Sequence, residues 1–156
     1  MPVNNMTTQE SRVVKYAFDL EIHATREKVW DLLTHNIASW WPEHFHSSPE
    51  TKQFTMETRV GGRIYEDQGN DNGVLWGIIL QFDAPKRLQF KGTLFPDYGG
   101  PGDYHISIKV ESTDDGCKLV VDDALHGFVT DELAESLESG WKELFGEHLK
   151  KRAEEK

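Results

Sequence analysis

The first predicted element is a strand with one apolar face. In VVKYAFDLEIH, residues 13–23, every second side chain from Val14 to Ile22 is apolar, and most residues between them are charged. A hydrophobic period of two is typical of a half-buried strand. The preceding segment, residues 1–12, has no apolar run, which argues against a signal peptide or a membrane span. It is predicted to be a disordered or loosely attached tail.

Two short helices are predicted after this strand. Thr25 is a suitable N-cap for REKVWDLLT, residues 26–34, whose apolar side chains recur at helical spacing. A second helical turn, NIASWW at 36–41, is expected to end at Trp41, because Pro42 disfavours helical conformation in the residue before it.

A period of two returns from Lys52 onward and predicts six further strands. They are placed at roughly 52–59, 62–67, 73–83, 86–93, 103–112 and 116–125, with turn-forming residues between them. The connection LFPDYGGPGD, residues 94–103, is rich in glycine and proline and predicts a mobile loop.

The last predicted element is a long amphipathic helix. Thr130 is a suitable cap, and the helix is expected to continue to about Arg152. Its apolar stripe consists of Leu133, Leu137, Trp141, Leu144, Phe145, His148 and Leu149. The order of elements predicts one α+β domain over residues 13–152. In it, a curved antiparallel sheet of about seven strands wraps around the C-terminal helix, with two short helices between strands 1 and 2.

Composition and charge exclude several classes of partner. Seventeen Lys and Arg residues face 27 Asp and Glu residues, so the formal net charge is −10. Nucleic acids and anionic membranes require a concentrated basic surface, so neither is an expected partner. Cys117 is the only cysteine, which excludes an intrachain disulfide and favours a cytoplasmic location.

Several segments in order resemble one family. They are ATREKVWDLLT (24–34), METRVGGRIYED (56–67), GIILQFDAPKRLQF (77–90), HGF (126–128) and GWKELFGEHLKK (140–151). Over about residues 18–151 the chain resembles the START-like, or SRPBCC, superfamily with its helix-grip fold, in the branch named after activators of the heat-shock-protein ATPase. The resemblance implies a cavity between the sheet and the C-terminal helix. The superfamily includes carriers, cyclases, hydrolases and co-chaperone domains, so fold alone does not define function.

Strand alternation and the resemblance together indicate which side chains would contact a ligand in that cavity. The predicted ligand-binding residues are Trp40, Trp41, Phe54, Met56, Ile64, Glu66, Trp76, Phe90, Tyr104 and Trp141. Apolar walls with a few polar groups are typical of small-molecule sites. Adjacent positions on a helical turn point about 100° apart. One of Trp40 and Trp41 is therefore expected to face inward, and the other to cover the entrance or lie on the surface.

Glu66 is the polar residue of interest in this set. If Ile64 faces the interior, Glu66 does too, and a carboxylate there could act as an acid, a base or a hydrogen-bond anchor. Two alternatives remain open at this point. A register one residue off would turn Arg63, Tyr65 and Asp67 inward, or Glu66 could form a structural salt bridge with Arg63 or Arg59.

The histidines do not form a recognisable metal motif. The candidates are His44 and His46 with His35 nearby, or His105 and His126 from the strands. They are not accompanied by an HExxH sequence, a cysteine pair or a third ligand at a spacing typical of metal-binding motifs. We therefore expect neither a metal nor a cofactor, and we assign no catalytic residue beyond Glu66 as a candidate.

The favoured function is binding of a small apolar or aromatic ligand, with the 94–103 loop and the Trp40-Trp41 turn gating the entrance. A second hypothesis is a cyclase or hydrolase that uses the same cavity with Glu66 as acid or base. A third, implied by the name of the branch, is a co-chaperone-like interaction module for a heat-shock ATPase. A homodimer is compatible with all three.

Overall fold

The computed structural model describes residues 5–156. Residues 5–11 are exposed and form neither helix nor strand, and the first strand begins at Arg12. Residues 1–4 of the predicted tail lie outside the described part of the chain. The assignment of residues 1–12 to a loosely attached tail stays a prediction.

Seven strands form one antiparallel sheet. They are β1 (Arg12–Ile22), β2 (Gln53–Met56), β3 (Arg63–Gly69), β4 (Asn72–Asp83), β5 (Arg87–Leu94), β6 (Gly102–Thr113) and β7 (Gly116–Gly127). The spatial order is β1-β7-β6-β5-β4-β3-β2, and every neighbouring pair is antiparallel. The first strand therefore pairs with the last, and all other neighbours are consecutive.

The helical segments lie between β1 and β2 and at the C-terminus. Helix α1 spans Arg26–Leu33, and short 3-10 turns follow at Ile37–Ser39 and Glu43–Phe45. The C-terminal helix is α-helical over Asp131–Glu143 (α2), widens to a π-helix over Leu144–Leu149, and is α-helical again over Lys150–Glu154 (α3). The predicted α+β helix-grip fold is confirmed.

Both predicted N-caps are present. The side-chain oxygen of Thr25 accepts a hydrogen bond from Lys28 N at 3.2 Å, and that of Thr130 accepts one from Leu133 N at 3.1 Å. Each cap satisfies a backbone donor that has no partner within its helix. No helix in residues 5–156 is both long enough and apolar enough to cross a membrane.

β2 is shorter than its predicted range of 52–59, because the chain turns at Glu57. The Glu57 carboxylate accepts hydrogen bonds from the backbone N and the guanidinium of Arg63, at 2.8 to 3.0 Å. These bonds lower the pKa of Glu57 to about 2. Arg63 and Arg59 are thus the ion-pair partners of Glu57. The alternative prediction, a salt bridge from one of these arginines to Glu66, is therefore wrong.

Two irregularities in β4 change which residues face the interior. The register of β4 shifts against β3 near Trp76, and it shifts against β5 between Ile79 and Gln81. As a result Trp76 packs against the core and Ile79 is buried, whereas Leu80 is 49% exposed. An uninterrupted period of two would place Leu80 on the same face as Trp76, so β-bulges decide the inner face here.

The C-terminal end of the helix is hydrogen-bonded to the segment after β1 and to α1. His23 N donates to Glu154 Oε1 at 2.9 Å, and Lys28 Nζ donates to the backbone oxygen of Glu155 at 3.0 Å. Near the middle of the helix, Trp141 and Phe145 stack with ring centroids 5.4 Å apart. The helix is therefore held at its end by polar contacts and along its length by apolar side chains.

Gly92 allows the side chain of Tyr104 to lie across strand β5 and reach β4. It lies opposite Tyr104 in the β5–β6 register, and the Tyr104 hydroxyl donates a hydrogen bond to the backbone oxygen of Trp76. A Cβ at Gly92 would overlap both the Trp76 oxygen and the end of the Tyr104 ring. A glycine is thus required here by the close approach of the ring.

We expect Gly92→Ala to lower the free energy of unfolding by about 2 kcal/mol or more, because the ring of Tyr104 must move from its place in the core. Urea denaturation measures this loss. Gly146→Ala is the matched control, since a Cβ at Gly146 meets nothing within 4 Å, and it should be neutral or stabilising by up to about 1 kcal/mol. Equal effects of the two substitutions would contradict this account.

Candidate functional site

A cavity of about 310 Å³ lies between the concave face of the sheet and the C-terminal helix. Its walls come from the end of α1, from the turns before β2, from strands β2 to β7 and from α2 with the start of the π segment. The lining residues are Leu33, Ile37, Trp41, Phe45, Phe54, Met56, Ile64, Trp76, Leu88, Phe90, Leu94, Tyr104, Ile108, Asp123, Ser136, Leu137, Gly140, Trp141, Leu144 and Phe145. Nearly all are apolar or aromatic, which suits an apolar ligand.

The structure brings most of the predicted residues together. Eight of the ten line the cavity: Trp41, Phe54, Met56, Ile64, Trp76, Phe90, Tyr104 and Trp141. Trp40 and Glu66 are not among the lining residues, and ligand binding by the ten residues stays a prediction.

The two adjacent tryptophans have separate roles. Trp40 is 7% exposed, and its Nε1 donates to the backbone oxygen of Leu32 at 2.6 Å, which fixes it in the core beside α1. Trp41 is half-buried and stacks on Phe54, with ring centroids 3.8 Å apart and planes 5° apart. Only Trp41 reaches the cavity, because neighbouring residues on a helical turn point in different directions.

Glu66 serves as a hydrogen-bond anchor. It is fully buried, and the predicted register with Ile64 and Glu66 on the inner face is present. Glu66 Oε1 accepts hydrogen bonds from Ser47 N and Thr51 Oγ1, both at 2.8 Å, and Oε2 accepts one from Trp76 Nε1 at 2.5 Å. These three donors join the segment before β2 to β4, and Glu66 is not among the residues that line the cavity.

Asp123 is the buried acid that the sequence analysis missed. It is 3% exposed and lies on β7, on the face that also buries Val121 and Leu125. Asp123 Oδ2 accepts a hydrogen bond from the Tyr16 hydroxyl at 2.6 Å. Its Oδ1 is buried and has no hydrogen-bond partner among residues 5–156. The detectable signal was an aspartate at an inward position of an otherwise apolar alternation.

Burial determines the electrostatics of this acid. Loss of solvation raises the pKa of Asp123 from 3.8 to about 6, although the hydrogen bond from Tyr16 and the nearby backbone N–H groups of Ala124 and His105 lower it in part. Burial and the nearby carboxylate in turn raise the pKa of the Tyr16 hydroxyl. At neutral pH, Asp123 is therefore mostly ionised, and Tyr16 remains a donor. The cavity wall thus includes one residue with a mostly ionised carboxylate.

The cavity reaches solvent beside α2. Ser136 lines it and is exposed, and Gly140, one turn further along, is half-buried. A Cβ at Gly140 would lie 3.7 Å from Cε1 of Phe45, so the helix and the Glu43–Phe45 turn face each other at this end. The absence of a side chain at Gly140 leaves the space open.

The loop between β5 and β6 packs over another part of the wall. Phe95 stacks on Trp76 with ring centroids 5.9 Å apart, and Tyr98 meets the same ring edge-on at 5.2 Å. Gly99 lies against Leu133 of α2. The loop thus contacts both Trp76 of the cavity wall and Leu133 of the C-terminal helix. Its role as a gate stays a prediction.

The cavity wall offers little to a metal. Among the lining residues, Asp123 alone has a carboxylate, imidazole or thiol side chain. His105 and His126 are exposed on β6 and β7, outside the cavity. A cofactor that requires several protein ligands therefore does not fit this space.

A family model matches most of the chain. The family described as activator of Hsp90 ATPase homolog 1-like protein matches residues 23–154, which include α1, all strands after β1 and the C-terminal helix. No curated protein matches this sequence.

Solved structures share the fold at low sequence identity. The Mll3558 protein from Rhizobium loti is 14% identical with a TM-score of 0.68, and the alignment covers 88% of this chain and 96% of that one. The CV1439 protein from Chromobacterium violaceum is 19% identical with a TM-score of 0.62, over 91% and 98% of the two chains. The MLL2253 protein from Mesorhizobium loti is 18% identical with a TM-score of 0.62, over 88% and 95%. Such identities show a shared fold alone.

Glu66→Gln should lower the free energy of unfolding by about 1–3 kcal/mol. Both oxygens of the Glu66 carboxylate accept hydrogen bonds. A glutamine has only one acceptor oxygen, so its NH₂ group would face at least one of the three donors and that hydrogen bond would be lost. Urea denaturation gives the loss, with Glu50→Gln as a control on an exposed side chain of the same segment. A loss no larger than that of the control would show that the three hydrogen bonds do not stabilise the fold.

Asp123→Asn should stabilise the fold increasingly as the pH rises. The folded-state pKa of Asp123 is above its unfolded value, so the wild-type aspartate contributes stability below pH 3.8 that is lost as the pH rises through about 6. A neutral asparagine does not titrate. The difference in unfolding free energy, variant minus wild type, should therefore grow by about 1 kcal/mol between pH 5 and pH 7.5. Urea titrations across this range measure it, and a constant difference would contradict the raised pKa.

Proposed function

Because this chain belongs to the family of activator of Hsp90 ATPase homolog 1-like proteins, within the START-like superfamily, we propose that it binds a small, largely apolar or aromatic molecule in the cavity. The ligand carries a hydrogen-bond donor that pairs with Asp123. The observation that carries this function is the unpaired, buried Oδ1 of Asp123 in a wall of apolar side chains.

Size and composition of the cavity support this function. Its volume of about 310 Å³ lies at the lower end of the range for ligand pockets, roughly 300–1,000 Å³. The rings of Trp41, Phe90 and Trp141 provide flat apolar surface for an aromatic or aliphatic ligand. Burying such a ligand releases water from both surfaces, which is the main favourable contribution to binding.

Asp123 gives the ligand its polar requirement. A buried acceptor without a partner is unfavourable by about 1–3 kcal/mol, and a ligand N–H or O–H would remove this penalty. Because the pKa of Asp123 is about 6, the carboxylate is mostly ionised at neutral pH and favours a donor or a cation over another acceptor. An amine, a phenol or an alcohol on an apolar body meets both requirements.

Two nearly isosteric probes test this chemistry. N-phenyl-1-naphthylamine has an N–H donor between its two ring systems, and 1-phenoxynaphthalene has an ether oxygen in the same place. Quenching of tryptophan fluorescence measures the binding of each, since Trp41 and Trp141 line the cavity. The wild-type protein should prefer the amine by at least about tenfold, because a hydrogen bond to a charged group contributes about 1.5–3 kcal/mol.

Two pairs of variants separate the cavity from the polar contact. Gly140→Leu should weaken both probes by filling the entrance, whereas Gly140→Ala, whose Cβ fits, should bind them as wild type does. Asp123→Asn should abolish the preference for the amine, because the amide can present a donor instead. Absence of saturable binding of either probe to wild type would contradict the ligand-binding function, and equal binding of the two probes would contradict the role of Asp123.

A further inference from the structure

Three side chains outside the cavity wall converge near its entrance. They are His44 in the turn Glu43–Phe45, Glu143 at the end of α2, and His148 in the π segment. One ligand atom from each lies within 4.8 Å of the others. We propose that His44, Glu143 and His148 form a binding site for a divalent transition-metal ion such as Zn²⁺.

The spacing of the ligand atoms suits such an ion. His44 Nε2 and Glu143 Oε2 are 3.3 Å apart, and in a tetrahedral site with bonds of about 2.0–2.1 Å two ligand atoms are about 3.4 Å apart. The rings of His44 and His148 have centroids 5.5 Å apart. All three ligand atoms lie within 4.8 Å of one another, so the third must approach by at most about 1.4 Å to reach the same separation.

The chemistry of the donors selects the class of ion. Two imidazoles and one carboxylate favour zinc, cobalt, nickel or copper, whereas magnesium and calcium favour sites made of oxygen atoms. Three protein ligands leave a fourth position for water or another donor, the arrangement found in catalytic rather than structural zinc sites. The net charge of −10 also favours accumulation of cations around the protein.

The π-helix brings Glu143 and His148 together. In an α-helix each residue turns by about 100°, so residues five apart lie about 140° apart around the axis. A π-helix has i→i+5 hydrogen bonds and places residues five apart on nearly the same face. The π segment Leu144–Leu149 begins directly after Glu143 and includes His148. π-helical turns inside α-helices are frequent at functional sites.

The third ligand comes from an ordered turn. Phe45 N donates to the backbone oxygen of Pro42 at 3.0 Å, and His46 N donates to that of Glu43 at 2.9 Å. The Phe45 ring packs on Trp41 with centroids 6.4 Å apart. His44 is therefore held opposite the helix before any ion binds, which reduces the entropy lost on coordination.

An ion pair alone is a weak explanation for this arrangement. His44 and Glu143 are 60% and 42% exposed at their side chains, and pairs exposed to this degree contribute little to stability. His148 would have no part in such a pair. Coordination of one ion accounts for all three side chains and for the widened turn that aligns two of them.

The site adjoins the entrance of the cavity. Ser136, Gly140 and Glu143 are spaced i, i+4 and i+7, so they follow one face of α2, and the first two line the cavity. The ion would thus lie one turn beyond the entrance. The proposed site differs from the prediction made from the sequence, which was that no metal binds because the histidines match no known metal motif.

Calorimetric titration of the metal-free, full-length protein with ZnCl₂ tests the site. One equivalent should bind, and His44→Ala, Glu143→Gln and His148→Ala should each weaken binding by at least about tenfold, since even loss of an outer-shell partner weakens metal sites by about 10–100-fold. His46→Ala is the matched control, because it removes a histidine from the same segment, and its affinity should equal that of wild type. Visible absorption with Co²⁺ should show the intense bands of four- or five-coordinate cobalt.

Circular dichroism of each variant confirms that the fold is retained, and a variant that fails this check is replaced by His44→Asn, Glu143→Ala or His148→Gln. Absence of Zn²⁺ binding to wild type would overturn the site. So would unchanged binding in all three ligand variants, or an equal loss in His46→Ala. Binding of the naphthyl probes to metal-free protein is measured separately, so failure of the metal site leaves the ligand-binding function standing.

Discussion

The structure depends on a mismatch between the width of the sheet and the width of one helix. Seven strands spaced about 4.8 Å apart span roughly 29 Å between the outer pair, whereas a helix with its side chains is about 10–12 Å wide. The sheet has one apolar face, and a single helix cannot cover it if the sheet is flat. The sheet therefore curves around the helix, α1 and the turns before β2 cover part of the remainder, and the space left over is the cavity.

Two buried carboxylates on the inner face of this sheet have opposite surroundings. Glu66 has three hydrogen-bond donors on its two oxygens and joins the chain before β2 to β4. Asp123 accepts one side-chain hydrogen bond, from Tyr16, and its other oxygen is buried without a hydrogen-bond partner among residues 5–156. A satisfied buried acid stabilises the scaffold, whereas a half-satisfied one is a common property of binding sites. The difference between them follows from which donors the fold places nearby.

The C-terminal helix combines several roles because its geometry changes along its length. Its α-helical part places Ser136, Leu137, Gly140 and Trp141 along the cavity, and its π-helical part places Leu144 and Phe145 there as well. The same widened turn aligns Glu143 with His148 opposite the Glu43–Phe45 turn. The cavity wall at this end and the cluster of His44, Glu143 and His148 are thus two consequences of one helix packed against one turn.

The order, type and inner faces of most elements could be read from the sequence, because periodicity of apolar residues is a local property. The alternation in β1, the caps Thr25 and Thr130 and the stripe around Trp141 each needed only neighbouring residues. With the strand pattern after Lys52 they predicted a sheet curved around one helix, and the family resemblance implied the helix-grip fold. Six residues of the cavity wall followed from strand alternation, and Trp41 and Trp141 from the predicted helical segments, once the family resemblance implied a cavity. The inward position of Glu66 was one of two registers that the sequence left open, and its three donors were not predicted.

Other features required contacts between distant segments. The donors of Glu66 come from positions 47, 51 and 76, the partner of Asp123 comes from β1, and His44 meets residues about a hundred positions away. Bulges in β4 and the π segment interrupt the periodicity on which sequence reasoning relies. The sequence by itself determined the architecture and most of its apolar interior, since these depend on local patterns. Only the tertiary structure decided which buried acid is unpaired, because hydrogen bonds depend on distances that no spacing along the chain defines.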